Sequence, residues 1–124
     1  MSSSQPAVTF GELVGLDIGE RGDGRATVTL DASAPHMNGH GTVHGGAIAT
    51  LCDTVMGVAL AASGVKAPVT VELRVTYLAP AREGVLTAEA EVRKRGSRIL
   101  VVEAEVAQDG ETVALASGTF TDVS

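Results

Sequence analysis

The sequence predicts an α+β fold in which a curved antiparallel sheet wraps around one long helix. Two observations carry that expectation. An almost uncharged stretch, Gly45 to Val65, repeats apolar residues at helical spacing, and after Pro68 the apolar period drops from 3.6 to 2. A third observation is that the strands following the helix succeed one another through short links, as an antiparallel meander does.

Residues 1–9 read as a loose leader and residues 10–124 as one domain, with no internal repeat and no linker dividing it. Phe10 to Ile18 is a short apolar segment, and Gly19 to Gly24 is a Gly- and Asp-rich turn cluster. Arg25 to Leu30 alternates, with Ala26, Val28 and Leu30 on one face, so it is a half-buried strand. Residues 31–43 contain Pro35, Asn38, Gly39 and Gly41 and read as a loop.

The helix is expected from near His44 to near Gly64, with Ile48, Leu51, Cys52, Val55, Ala59 and Ala62 as its apolar stripe. Its other side, with Ala49, Thr50, Asp53, Met56, Gly57 and Leu60, is small or apolar too, which predicts burial nearly all round. Beyond Pro68, strict alternation puts Val69, Val71, Leu73, Val75 and Tyr77 on one face and Thr70, Glu72, Arg74 and Thr76 on the other. Leu86 to Val92 and Ile99 to Ala107 repeat the pattern, and Asp109-Gly110 is a hairpin signal leading into Thr112 to Thr121.

Composition excludes several classes of function. Apolar residues make up 44% and charged ones 19%, the mix of a globular protein rather than a disordered one. A net charge of −6 opposes sequence-independent nucleic-acid binding, which needs a basic footprint, and 2% aromatics leave no platform for stacking bases. One cysteine permits no intrachain disulfide, and no basic segment followed by an apolar one opens the chain, so a cytoplasmic protein is expected. Asp53, Thr50 and Thr54 interrupt the apolar stretch and favour a core helix over a membrane span.

The chemistry concentrates in residues 38–53. Asp53 is the only formally charged residue between Gly45 and Val65, and a carboxylate in apolar surroundings is costly unless something holds it there. It is either a structural hydrogen-bond acceptor or a general base or nucleophile. Gly45 and Gly46 open the helix, where unpaired N–H groups and a partial positive charge suit an oxygen gaining negative charge; alternatively they only make a tight entry. Asn38 and His44 are candidates to bind substrate or to fix the loop. His36, His40 and His44 are spaced four apart, but Pro35, Gly39 and Gly41 oppose a helix there, so no metal is expected. Arg93, Lys94, Arg95 and Arg98 crowd one turn with Gly96 and Ser97, a landing place for phosphates or a solvated hairpin tip. Cys52 lies on the core stripe as packing.

The set Asn38, His44, Gly45, Gly46 and Asp53, followed by the strand Thr76-Tyr77-Leu78-Ala79-Pro80, resembles the hotdog-fold acyl-CoA thioesterases of the phenylacetate-degradation type. Human acyl-CoA thioesterases of that branch are similar as well, and the likeness runs from about residue 10. The resemblance implies a hotdog fold and hydrolysis of an acyl- or arylacyl-CoA thioester without a cofactor. Asp53 would be base or nucleophile, the Gly45 amide would polarise the carbonyl, Asn38 would position water or thioester, and His44 would orient loop and substrate. Thr70 stands where relatives carry a small hydroxyl residue that assists the water. Gly46 and Met56 would line the substrate, with Met37 and Leu60 shaping the pocket, while Arg95, Gly96, Ser97 and Arg98 would meet coenzyme A.

The resemblance also implies a site closed only when Asp53 of one subunit faces Asn38, His44 and Gly45 of another, hence a homodimer and, as a dimer of dimers, a homotetramer. Asp rather than Glu at position 53 favours this branch over the glutamate-using aryl-CoA branch. Two alternatives share the fold. A non-catalytic acyl-CoA-binding module usually accompanies a DNA-binding segment, and an enoyl-CoA hydratase needs an Asp-x-Asn-Pro-x-His-like run that this sequence lacks.

Overall fold

The structure, a computed structural model, describes residues 8–124. Thr9 caps helix α1 (Phe10–Val14): its hydroxyl accepts the Glu12 N–H while the Glu12 carboxylate answers at the Thr9 N–H. Of the predicted leader, residues 1–7 lie outside the described residues, and Thr9 is the N-cap of α1. Strand β1 (Leu16–Gly22) runs through most of the predicted turn cluster, with a register irregularity between Ile18 and Arg21. Only Asp23-Gly24 turns. Their φ angles of 53° and 73° match the paired positive values that a two-residue hairpin requires.

Strand β2 (Arg25–Ala32) buries Ala26, Val28 and Leu30, as its alternation predicts, and continues to bury Ala32. A single 3-10 turn (Ala34–His36) and a loop closed by a Met37–Val43 bridge lead to helix α2 (Gly45–Ala62). Four strands follow: β3 (Pro68–Tyr77), β4 (Gly84–Arg95), β5 (Leu100–Gln108) and β6 (Glu111–Asp122). All pairs are antiparallel, in the spatial order β1-β2-β4-β5-β6-β3. The meander is β4-β5-β6. Strand β3 crosses over to pair with β6 and becomes the far edge of the sheet.

Helix α2 packs on the concave face of this sheet and buries Ile48, Leu51, Cys52, Val55, Met56, Ala59 and Leu60. Length and hydropathy alone would let α2 cross a membrane; the buried side chains instead form the core with the inward residues of β2, β4, β5 and β6. Each fully buried Leu contributes about 1.5–3 kcal/mol. Close approach of α2 to β6 depends on Gly118, where a Cβ would stand 2.7 Å from Phe120 Cε1 and 3.1 Å from Met56 Cε.

Two expectations fail. Burial of α2 is one-sided: Gly46 and Ala61 are exposed, and Ala49, Thr50, Asp53, Thr54, Gly57 and Val58 are only half-buried. A single curved sheet covers a helix from one side, and among the described elements only the short α1 touches the start of the other. The alternation of β3 also breaks, because a bulge lets Thr70 pair with Phe120 while Glu72 pairs with Thr119. One extra residue flips the parity of every side chain beyond it. Thr70 therefore shares the helix-facing side with Leu73, Val75 and Tyr77, instead of the outer side with Glu72 and Arg74.

Cys52 lies fully buried under α2, and burial, reinforced by the neighbouring Asp53 charge, pushes its thiol from 9.0 up to about 12. Unfolding returns it to the ordinary value, so between pH 9 and about 12 the unfolded state loses the proton first and gains stability. Denaturation at stepped pH should show folding stability dropping as pH rises through that window. A Cys52→Ala chain should lack this part of the slope, and an unchanged slope would contradict the buried placement.

Candidate active site

Asp53 sits at the middle of α2 on its uncovered side, half-buried, and the bulge of β3 brings the Thr70 hydroxyl to it. Thr70 Oγ1 donates to Asp53 Oδ1 at 2.7 Å. Among the described residues no cation pairs with Asp53, whose Oδ2 stays free; the ion pairs join Arg25 and Arg93 to Glu91 and Glu103. The carboxylate is thus oriented by one hydroxyl yet not neutralised, an arrangement able to accept a proton from water.

The first turn of α2 is organised by His44. As N-cap, its Nδ1 accepts the Gly46 N–H at 2.8 Å, which assigns the proton to Nε2 and leaves that side of the ring outward as a donor. A Cβ on Gly46 would lie 3.0 Å from that Nδ1, so glycine is what allows the cap to close. Gly46 also has its carbonyl occupied, by Thr50 Oγ1 at 2.8 Å. Of the two glycine amides, only the Gly45 N–H finds no acceptor among the described residues. It is the one left free to donate to an acceptor from outside the chain, whereas the Gly46 amide is taken by His44.

Asn38 is committed to its own loop. Its Oδ1 accepts from the amides of His40 and Thr42 at 2.7 and 3.2 Å, and its Nδ2 donates to Thr42 Oγ1 at 2.7 Å. One Nδ2 hydrogen is left for anything else. His36 is structural: Nε2 lies 2.6 Å from the Val14 carbonyl, and Nδ1 accepts the Ser33 N–H at 3.0 Å. No group of three His, Cys, Asp or Glu side chains converges as a metal set among the described residues.

Other expectations need correcting. Met56 and Leu60 are fully buried in the core, pressed toward the sheet, and cannot line a substrate pocket in this chain. A cleft of about 350 Å³ lies instead between α1 and the start of α2, walled by Phe10, Leu13, Val14, Pro35 and Ala47 and reaching His44 and Gly46. The larger cleft, about 530 Å³, opens on the outer sheet face among Glu89, Glu91, Glu103 and Glu105, a charge that repels phosphates.

Arg95, Ser97 and Arg98 are exposed in the β4–β5 turn, which the Gly96 N–H closes onto the Ile99 carbonyl at 3.0 Å. Arg93 is held by Glu91 and Glu103. The turn lies by the C-terminal end of α2, since a Cβ on Gly64 would stand 3.5 Å from the Arg95 guanidinium. Gly45 is at the other end of that 18-residue helix, roughly 27 Å away at 1.5 Å per residue. Asp53 and Gly45 of one chain are likewise apart, roughly 12 Å along the axis for eight residues of rise. A base works only at hydrogen-bond reach, so the two cannot serve one carbonyl within a single chain.

The sequence places Tyr77 on the apolar face of its strand and in the run that carries the resemblance, with no role of its own. Its hydroxyl donates to the Gly45 carbonyl at 2.6 Å.

Residues 40–115, from His40 into the first part of β6, match the model of the thioesterase superfamily. The chain belongs to that superfamily. The acyl-coenzyme A thioesterase PaaI of Escherichia coli is 36% identical to this thioesterase over 107 residues, 85% of this chain and 76% of that one. A conserved protein of Pseudomonas aeruginosa superposes with a TM-score of 0.90 at 39% identity, covering 95% of this chain and all of its own. A Streptococcus pneumoniae thioesterase protein solved with coenzyme A superposes at 0.81, with 28% identity and 86% and 84% of the two chains covered. The curved six-stranded sheet around one helix is the hotdog fold, as the resemblance implied.

Proposed function

We propose that this thioesterase hydrolyses an acyl- or arylacyl-coenzyme A thioester to the free acid and coenzyme A, in a site made by two copies of the chain. The observation that carries the reading is the pairing of an oriented, cation-free carboxylate at Asp53 with an unoccupied amide at Gly45, too far apart to cooperate within one chain. A second copy brings Asp53 of one helix to the Gly45 amide of the other. The uncovered small-residue side of α2 and edge strand β3, with Val69 and Val71 45% and 61% exposed, supply apolar surface for that pairing.

In this reading, Asp53 takes a proton from water while the water oxygen adds to the thioester carbonyl carbon. The Gly45 N–H stabilises the resulting oxyanion, and collapse breaks the C–S bond; the sulfur leaves with the proton from Asp53. Thr70 holds the carboxylate for that transfer, and His44 Nε2–H together with the spare Asn38 Nδ2 hydrogen positions the substrate. The Arg95–Arg98 turn takes the coenzyme A phosphates, and the cleft beside Phe10 and Leu13 takes the acyl group. No cofactor enters. The homotetramer, a dimer of dimers, and a cytoplasmic location complete the proposal.

The test is thiol release from phenylacetyl-, hydroxybenzoyl- and straight-chain CoA esters, followed with a thiol reagent. Turnover on one class of ester is the expected result. Tight binding with no thiol released from any of them would overturn the hydrolase reading in favour of a binding module.

A further inference from the structure

We infer that Tyr77 is a positioning residue for this hydrolysis, holding the first turn of α2 so that the Gly45 amide faces the thioester carbonyl. The inference rests on the reading that this amide polarises the carbonyl. Three observations support it. The Tyr77 hydroxyl donates to the Gly45 carbonyl at 2.6 Å across 32 residues of sequence. The ring closes one side of Gly45 at contact distance, since a Cβ there would lie 3.4 Å from both Cζ and Oη. Tyr77 itself is anchored, paired with Ala114 at the end of β3 and followed by a Leu78 N–H that donates to the Val113 carbonyl at 2.8 Å.

The geometry matters because the first turn is the least constrained part of a helix: its N–H groups have no intrahelical acceptors and its ends fray. His44 ties down the Gly46 amide, and among the described residues Tyr77 is the side chain that hydrogen-bonds Gly45. A carbonyl oxygen has two lone pairs, so Gly45 accepts from Tyr77 while keeping its place in the helix. An oxyanion donor acts only within a few tenths of an ångström of its position, which is the tolerance such a clamp sets. Burial, and secondarily the nearby Cys52, raises the phenol above its ordinary 10.0, so the hydroxyl keeps its proton throughout neutral and mildly alkaline pH. Tyr77 touches neither Asp53 nor Thr70 by hydrogen bond and contributes through Gly45 alone.

Tyr77→Phe keeps the ring and deletes the donor. Removing a whole oxyanion donor costs about 10²–10³ in kcat; loosening it should cost about tenfold, with KM within a factor of about two. The thermal midpoint should move little, because Tyr77 is half exposed. A second readout separates positioning from mere fastening. In an Asp53→Asn background, the carbonyl stretch of bound thioester should move to lower frequency, and adding Tyr77→Phe should shrink that displacement. Unchanged kcat and an unchanged carbonyl band in Tyr77→Phe would overturn the proposal while leaving Gly45 in its role. A bound carbonyl band that is not displaced even with Tyr77 intact would remove the amide reading, and this inference with it. Lowered stability with an unaltered band would make Tyr77 a fastener of β3 and also overturn it.

Discussion

Asp53→Asn should cut kcat for thioester hydrolysis roughly 10²- to 10⁴-fold, the range that a positioned general base supplies, while the chain stays folded. The amide is nearly isosteric, sits on the uncovered side of α2, and can still accept from Thr70 Oγ1. It cannot take a proton from water. Steady-state rates together with a thermal melt check both halves, and full activity in a folded Asp53→Asn protein would end the proposed chemistry.

The same substitution tests the two-chain site. A Cβ on Gly45 would already stand in contact, 3.4 Å from Tyr77 Cζ and Oη, so the larger side chain of Gly45→Val has no room there without displacing the amide and should be slow as well. In the proposed two-chain site each defect lies in a different half. Random mixing of the two variants should therefore restore about a quarter of the intact sites, since half of the dimers are mixed and each mixed dimer has one undamaged site. No recovery on mixing, with dimers demonstrated, would place Asp53 and Gly45 in the same half.

Phe120→Ala should have the largest effect on stability. Phe120 is 2% exposed and fills the space that Gly118 leaves beside Met56, opposite Thr70 across the β3–β6 pair. Truncating such a ring costs about 3–5 kcal/mol, a large share of the roughly 5–15 kcal/mol that holds a domain together. Chemical denaturation should show a much lower midpoint at an unchanged slope. A loss below about 1 kcal/mol would mean that the core collapses to fill the gap.

What could be read from the sequence was whatever depended on period and local chemistry. The helix from His44 to Gly64, the inward alternation of β2, β4 and β5, and the Asp109-Gly110 turn with φ angles of 51° and 80° all depend on residues near one another. Asp53 stood out because it is the one charge in an apolar stretch. Non-local features were not readable. A bulge at Val71 has no signature in the alternation it interrupts, so Thr70 was assigned to the outer side although its hydroxyl meets Asp53. Met56 and Leu60 share a helical period with exposed neighbours, and only the curvature of the sheet decides which are covered. The Gly45 and Gly46 amides look alike in sequence, and the His44 ring separates them by occupying one. Tyr77 is the only tyrosine in the chain, which marks it out, but nothing local shows that its hydroxyl reaches back 32 residues.

The sealed position of Cys52 has a consequence for an enzyme whose leaving group is a thiol. In the proposed site, coenzyme A would be released beside Asp53, one residue along the chain from a sulfur that, once oxidised, could capture it as a mixed disulfide. Disulfide exchange proceeds through an accessible thiolate. Cys52 is fully covered, and its thiol, pushed up to about 12, stays protonated, so the product meets no partner for exchange there and the catalyst is protected from its own product.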